Sequence, residues 1–218
     1  MTDDADAAPG PKRPARVRIL EAMMTLDDHR SVHEHTVDEL AAIAGVAKGS
    51  VYYQFGSKDR LVREMLVHGG EELRVMMDAA AERAEPRGER DDVDPDTDDG
   101  ERAGFAARLR AAVEFLDAHP SFTGLVAFAL ARRRDDEAQQ LRAEKESIVA
   151  LLADQLAALD AAVAAGAGRA PASRTRLEIT ATGLLSAAVT LAIDRHTTHP
   201  EWRVDDCVEA LVAMVPGA

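Results

Sequence analysis

Apolar residues recur at intervals of three and four along almost the whole of this 218-residue chain, and no segment shows the two-residue alternation of a half-buried strand followed by a hairpin turn. Ala, Leu, Arg and Glu are abundant, and each loses little rotamer freedom on entering a helix. The expected fold class is therefore all-α, with about nine helices whose apolar stripes meet in a shared core. The length allows one large domain or two small ones.

The first helix is expected over residues 13–28, with Ile19, Leu20, Met23 and Leu26 on one side. Thr36 to Glu39 reads T-V-D-E, a capping box in which the Thr hydroxyl accepts from the backbone N–H of Glu39, so a short helix follows to Ala44. Gly45 stands where helices commonly end in left-handed geometry, and a third helix begins near Ala47. Ser57 caps a long fourth helix, with Leu61, Met65, Leu66, Leu73 and Met76 inward. Further helices are expected over 102–118, 121–134, 135–165, 177–193 and 204–215, with breaks at His119-Pro120, at the Gly/Pro segment 166–172 and at Pro200.

Residues 85–101 hold nine acids, two arginines, two prolines and one large aliphatic, Val93. Such a stretch buries too little to offset its ordering entropy and is expected to be a disordered acidic loop. A calcium loop starting at Asp92 would need Gly and Glu where Thr97 and Ala103 stand. The 1–11 segment is expected to be a disordered acidic tail, leaving a first domain over 12–56 and a second over 57–218.

The net charge of −13 argues against a nucleic-acid partner until it is divided along the chain. Residues 12–63 carry nine Lys/Arg against seven Asp/Glu, whereas 64–218 carry seventeen against twenty-nine. Basic character is confined to the N-terminal quarter, and acids more than a Debye length of roughly 8 Å away barely oppose it. The longest uncharged run, from Ile179 to Ile193, falls short of the roughly 18 residues of a membrane span, and no apolar leader precedes the first helix, so a cytoplasmic protein without membrane contact is expected. Cys207 is the single cysteine, which excludes an intrachain disulfide and a thiolate zinc cluster.

The segment A-G-V-A-K-G-S-V-Y-Y-Q-F-G-S-K-D-R-L, residues 44–61, carries most of the information about function. It contains three of the eight aromatic residues, beside Lys48 and Lys58. Advancing ~100° per residue places Val51, Phe55 and Gln54 on one side of a helix and Lys48, Gly49, Tyr52 and Tyr53 on the other. A glycine inside a helix costs about 0.8 to 1.0 kcal/mol against Ala, and the bare patch it leaves lets another surface approach closely. The major groove of DNA admits such a helix. Lys48 can donate to guanine O6 and N7 or to phosphate, and tyrosine hydroxyls to phosphate oxygens.

With these residues the chain resembles the TetR family of one-component transcriptional regulators. The similarity runs in detail from about Arg16 to Leu66: the apolar first helix, Thr36-Val37 opening the second, I-A-G-V-A-K-G-S-V-Y-Y-Q-F through the turn and recognition helix, and G-S-K-D-R-L into the fourth. The resemblance implies that Lys48, Gly49, Ser50, Tyr52 and Tyr53 meet DNA, that Lys58 meets a phosphate and that Thr36 contacts the DNA backbone. Two positions depart from the family pattern. Ser31-Val32 replace the usual Gly and aromatic, and Ala47 replaces the usual Ser/Thr cap, normally worth about 0.5 to 2 kcal/mol.

The resemblance also implies a C-terminal domain that dimerises through its last two long helices and encloses a ligand. Small residues along 177–193 and an apolar stripe on 204–215 independently suit a four-helix homodimer seam. Candidate pocket residues are Met76, Phe105, Leu109, Val113, Phe115, Phe122, Phe128, Ile148 and Leu152, with His119, Thr123 and Thr182 as polar anchors. No cofactor and no metal is expected: the seven histidines lack carboxylates or thiolates at ligand spacing, and no nucleophile-elbow, Walker or H-E-x-x-H motif offers a residue for catalysis. The expected function is that of a ligand-responsive, non-enzymatic repressor released from a double-stranded DNA operator by an apolar or amphipathic small molecule. The alternative is a dimeric small-molecule-binding or adaptor protein without operator function.

Overall fold

The computed structural model describes residues 14–26, 32–84, 99–131 and 137–215, which form nine α-helices and no strand among them. In order these are α1 (Ala15–Met24), α2 (Val37–Ile43), α3 (Lys48–Phe55), α4 (Lys58–Ala84), α5 (Asp99–Ala118), α6 (Pro120–Ala131), α7 (Glu137–Ala167), α8 (Arg174–Thr197) and α9 (Val204–Ala213). The acidic tail and residues 85–98 of the acidic loop lie outside the described residues. The end of that loop is helical, since α5 begins at Asp99.

Ile19, Leu20, Met23 and Met24 of α1 are buried and pack the helix against α4. The helix ends four residues before position 28: the Thr25 hydroxyl donates back to the Glu21 carbonyl at 3.2 Å, and the chain leaves the helical path. A 3-10 turn at Val32–Glu34 follows, and Val32 is buried where the family pattern has an aromatic. Arg16 ties three elements together. Its guanidinium lies 5.2 Å from the Phe55 ring centroid, donates to the Gln54 carbonyl at 3.2 Å and pairs with Glu64 of α4.

The second half packs α4 against α5 and α7, with α8 against α5, α6 and α7. Phe105, Leu109, Val113, Phe115 and Leu116 of α5 are buried there, and the buried residues from Ile19 to Val215 form one continuous core. The α5–α6 break at His119 is sealed by Thr123, whose hydroxyl donates to the Leu116 carbonyl at 2.7 Å and lies 3.0 Å from that of His119. Between α7 and α8, Gly168 adopts φ +64°, and Asp160 accepts from Arg169 and from the Ala172 N–H, each at 2.5 Å. Ser173 then caps α8, which starts three residues earlier than the apolar run suggests.

Lys145–Ala167 and Arg174–Thr197 are long and apolar enough to cross a membrane, contrary to the expectation from uncharged runs, because a few charged residues, Asp154 and Asp160 among them, do not cancel the apolar character of the whole stretch. In the fold these two segments pack against each other, with α7 also on α4 and α8 also on α5 and α6.

Candidate nucleic-acid interface and ligand cavity

The α2–α3 unit is built by local chemistry. Thr36 Oγ1 accepts from the Glu39 N–H at 3.2 Å while the Glu39 carboxylate accepts from the Thr36 N–H at 2.7 Å, so the capping box is complete. Gly45 turns the chain at φ +62°, and the Val46 N–H donates to the Ala41 carbonyl at 2.9 Å. Ala47 occupies the N-cap of α3 with no side-chain hydrogen bond, as its methyl group dictates. Gly56, at φ +74°, ends α3 and leads into α4.

Val51 and Phe55 anchor α3 in the core. On its opposite side Tyr53 is 88% exposed and Tyr52 48% exposed, large values for aromatic side chains that nothing in the described chain covers. A Cβ added to Gly49 would meet nothing within 4 Å, so packing within the subunit gives no reason for a glycine there. The surface is left bare towards the outside. Ser50 is half-buried beside it.

Lys48 is exposed, and its Nζ donates to the Asp38 carboxylate at 2.7 Å. That hydrogen bond and the charge of Asp38 hold the Lys48 ammonium above the ordinary lysine range. Lys58, half-buried at the start of α4, donates to the His35 carbonyl at 2.5 Å. Its placement beside α2 follows from this bond, since His35 itself is buried. The six side chains and one glycine singled out from sequence thus lie on α3 and on the helix starts flanking it. Sequence reasoning missed Asp38. The available signal is its position in the first turn of α2, ten residues before Lys48.

A cavity with an empty volume of about 440 Å³, including its open mouth, lies in the second half. Leu66, Gly70 and Leu73 of α4 form one wall, Leu116 of α5 and Phe122 and Val126 of α6 another, and Lys145 and Ile148 of α7 with Leu185 and Val189 of α8 complete it. Of the candidate pocket residues, Phe122 and Ile148 line this space. Phe105, Leu109, Val113, Phe115 and Leu152 are buried in the core but do not line it, because their helix faces pack against neighbouring helices. Met76 and Phe128 are exposed. The Thr123 hydroxyl is committed to the α5–α6 junction, His119 Nδ1 lies 2.7 Å from the Phe115 carbonyl, and Thr182 donates to the Glu178 carbonyl at 2.8 Å.

Fold and surface together define a class of protein: a helix-turn-helix module whose last helix, α3, turns one side outward, joined by one continuous helix to an all-α second half with a cavity. Residues 19–65 match the family described as bacterial regulatory proteins, tetR family. The match runs from α1 to the first turns of α4 and is a likeness of that part of the chain. Comparison with curated proteins by sequence finds no match. Among solved structures it is similar to a TetR-like transcriptional regulator from Rhodococcus sp. RHA1, with 18% identity, 94% of this chain and 95% of the other covered, and TM-score 0.64. It is also similar to the transcriptional regulator FadR from Bacillus subtilis, solved with stearoyl-CoA, with 12% identity, 93% and 98% covered, and TM-score 0.65. A third, AibR, solved with isovaleryl coenzyme A and operator DNA, has 14% identity, 94% and 100% covered, and TM-score 0.60. At such identities the likeness is one of fold.

Proposed function

We propose that the protein is a repressor that binds its operator as a homodimer and is released by an apolar or amphipathic small molecule. The observation that carries this reading is the path of α4. It starts at Lys58 beside the recognition helix and reaches the cavity wall at Leu66, Gly70 and Leu73 without interruption, a reach of roughly 22 Å at 1.5 Å per residue. A ligand that pushes on this wall tilts a rigid rod whose other end carries the DNA-reading surface. Coupling between two such sites is typically about 1–3 kcal/mol. Two structural neighbours solved with acyl-coenzyme A compounds support an acyl-bearing, amphipathic effector.

Thr36, Lys48, Gly49, Ser50, Tyr52, Tyr53 and Lys58 form the proposed DNA contacts. In the proposed dimer α8 and α9 pair with their counterparts: Ile179, Gly183, Ser186 and Thr190 follow one another along the uncovered side of α8, and Met214 is exposed just after α9. Two recognition helices then reach half-sites about 34 Å apart. Such a protein works in the cytoplasm, beside its DNA.

The experiment is a mobility shift of the pure protein on the DNA upstream of its own gene, at stepped salt concentrations, with and without long-chain acyl-coenzyme A. Specific, salt-sensitive retardation reversed by the effector is expected. Dimerisation and ligand binding with affinity no better than for random duplex would instead make it an adaptor.

A further inference from the structure

The wall of the α4–α8 cavity exposes no polar atom, yet one of its lining residues is Lys145. The lysine therefore contributes its methylene stem to the wall and carries its ammonium beyond it, the usual behaviour of an amphipathic side chain. Lys145 is half-buried, and among the described residues no hydrogen bond or ion pair engages it. A cation held at the edge of a wholly apolar chamber is placed to pair with an anionic head whose tail enters that chamber.

On the reading of the protein as a ligand-responsive regulator, we propose that this cavity takes a single-chain amphiphile with an anionic head, the tail inside the chamber and the head paired with Lys145. The apolar lining excludes a ligand whose polar groups lie along its length, because each would lose its water without gaining a partner. The chamber is open at its mouth, so a bulky head stays outside while the tail meets the apolar wall. The charge of Lys145 selects the head. A carboxylate and a phosphate monoester share that chemistry, and both are monoanionic or more at neutral pH.

The test is calorimetric titration of the full-length protein with decanoate, decyl phosphate and decanol. Wild-type protein is expected to bind at least one anion about tenfold more tightly than the alcohol. Lys145→Met, which keeps the stem and removes the charge, is expected to lose that preference while leaving decanol within about twofold, and Lys145→Arg to restore it. Preference for decanoate alone or decyl phosphate alone identifies the source of the head. Equal binding of all three by wild-type protein, binding of none, or equal weakening of anions and alcohol by Lys145→Met overturns the proposal. Operator retardation measured on the same preparations without ligand separates the two ideas: loss of specific retardation defeats the repressor reading and leaves the titration to decide the cavity.

Discussion

The Lys48 ammonium and the Asp38 carboxylate meet at 2.7 Å across the turn between α2 and α3, so the first cation of α3 is already paired within the subunit. Both side chains remain more than half exposed, and the pair orients Lys48 along the outer face without burying it. Asp38 also places a negative charge where a phosphate would come. Asp38→Asn is therefore expected to strengthen binding to random duplex and to steepen the salt dependence by up to about 0.9 in log–log slope, with Lys48→Met moving both the other way. Fluorescence anisotropy at stepped salt reads this; an unchanged slope in Asp38→Asn would show that Lys48 does not exchange partners on DNA.

Tyr53 is so exposed that its side chain contributes little to folding. Tyr53→Ala is expected to leave stability within about 0.5 kcal/mol of wild type. Operator affinity should fall by about 0.5–1.5 kcal/mol, the net worth of a hydroxyl-to-phosphate hydrogen bond. Thermal melts and operator titrations must diverge in this way, and a parallel loss in both would place Tyr53 in the core instead.

A Cβ at Gly69 would stand 2.4 Å from the Phe122 ring, which is buried and lines the cavity. The ring can yield only towards that space. Overpacking costs about 1–3 kcal/mol, and Ala recovers about 0.8–1.0 kcal/mol of helix propensity, so Gly69→Ala should destabilise by up to about 2 kcal/mol and shrink the cavity. Denaturant unfolding, together with titration of decanol, checks both parts; unchanged ligand affinity would mean that Phe122 moves elsewhere.

Hydrogen bonds from Arg169 and from the Ala172 N–H hold the Asp160 carboxyl below the ordinary aspartate range. A depressed pKa stabilises the fold above the unfolded value of about 3.9, and that contribution fades as pH falls through the folded value. Asp160→Asn should therefore lower Tm at neutral pH, with the difference from wild type closing as the pH falls below about 4. A difference independent of pH would remove charge from the account of the α7–α8 turn.

Ile179 projects from α8 with 68% of its surface exposed in the single subunit. If α8 and α9 form the dimer seam, Ile179→Glu buries two unpaired charges there and should yield a folded monomer with weakened operator binding. Sedimentation velocity decides the matter, and a variant that stays dimeric would place the seam elsewhere.

Much of the α2–α3 unit was legible because its determinants are local. The Thr36 capping box, the Gly45 turn and the division of α3 into an anchored side at Val51 and Phe55 and an open side at Gly49 and Tyr53 each depend on neighbours within a few residues. The cavity was not legible in the same way. The sequence offers Leu109, Val113 and Ile148 alike as candidate lining, yet of these only Ile148 lines the space, since that depends on which helices meet and at what height.

The order of residues alone settled that this chain is helical, where most of its helices start and stop, and which side of α3 looks outward, because backbone hydrogen bonds, caps and side-chain period act over one or two turns. Tertiary packing decided the rest. It brought Asp38 to Lys48, closed Phe122 onto Gly69 and left Lys145 at the edge of an apolar chamber, contacts between helices whose relative position follows from how their surfaces interlock.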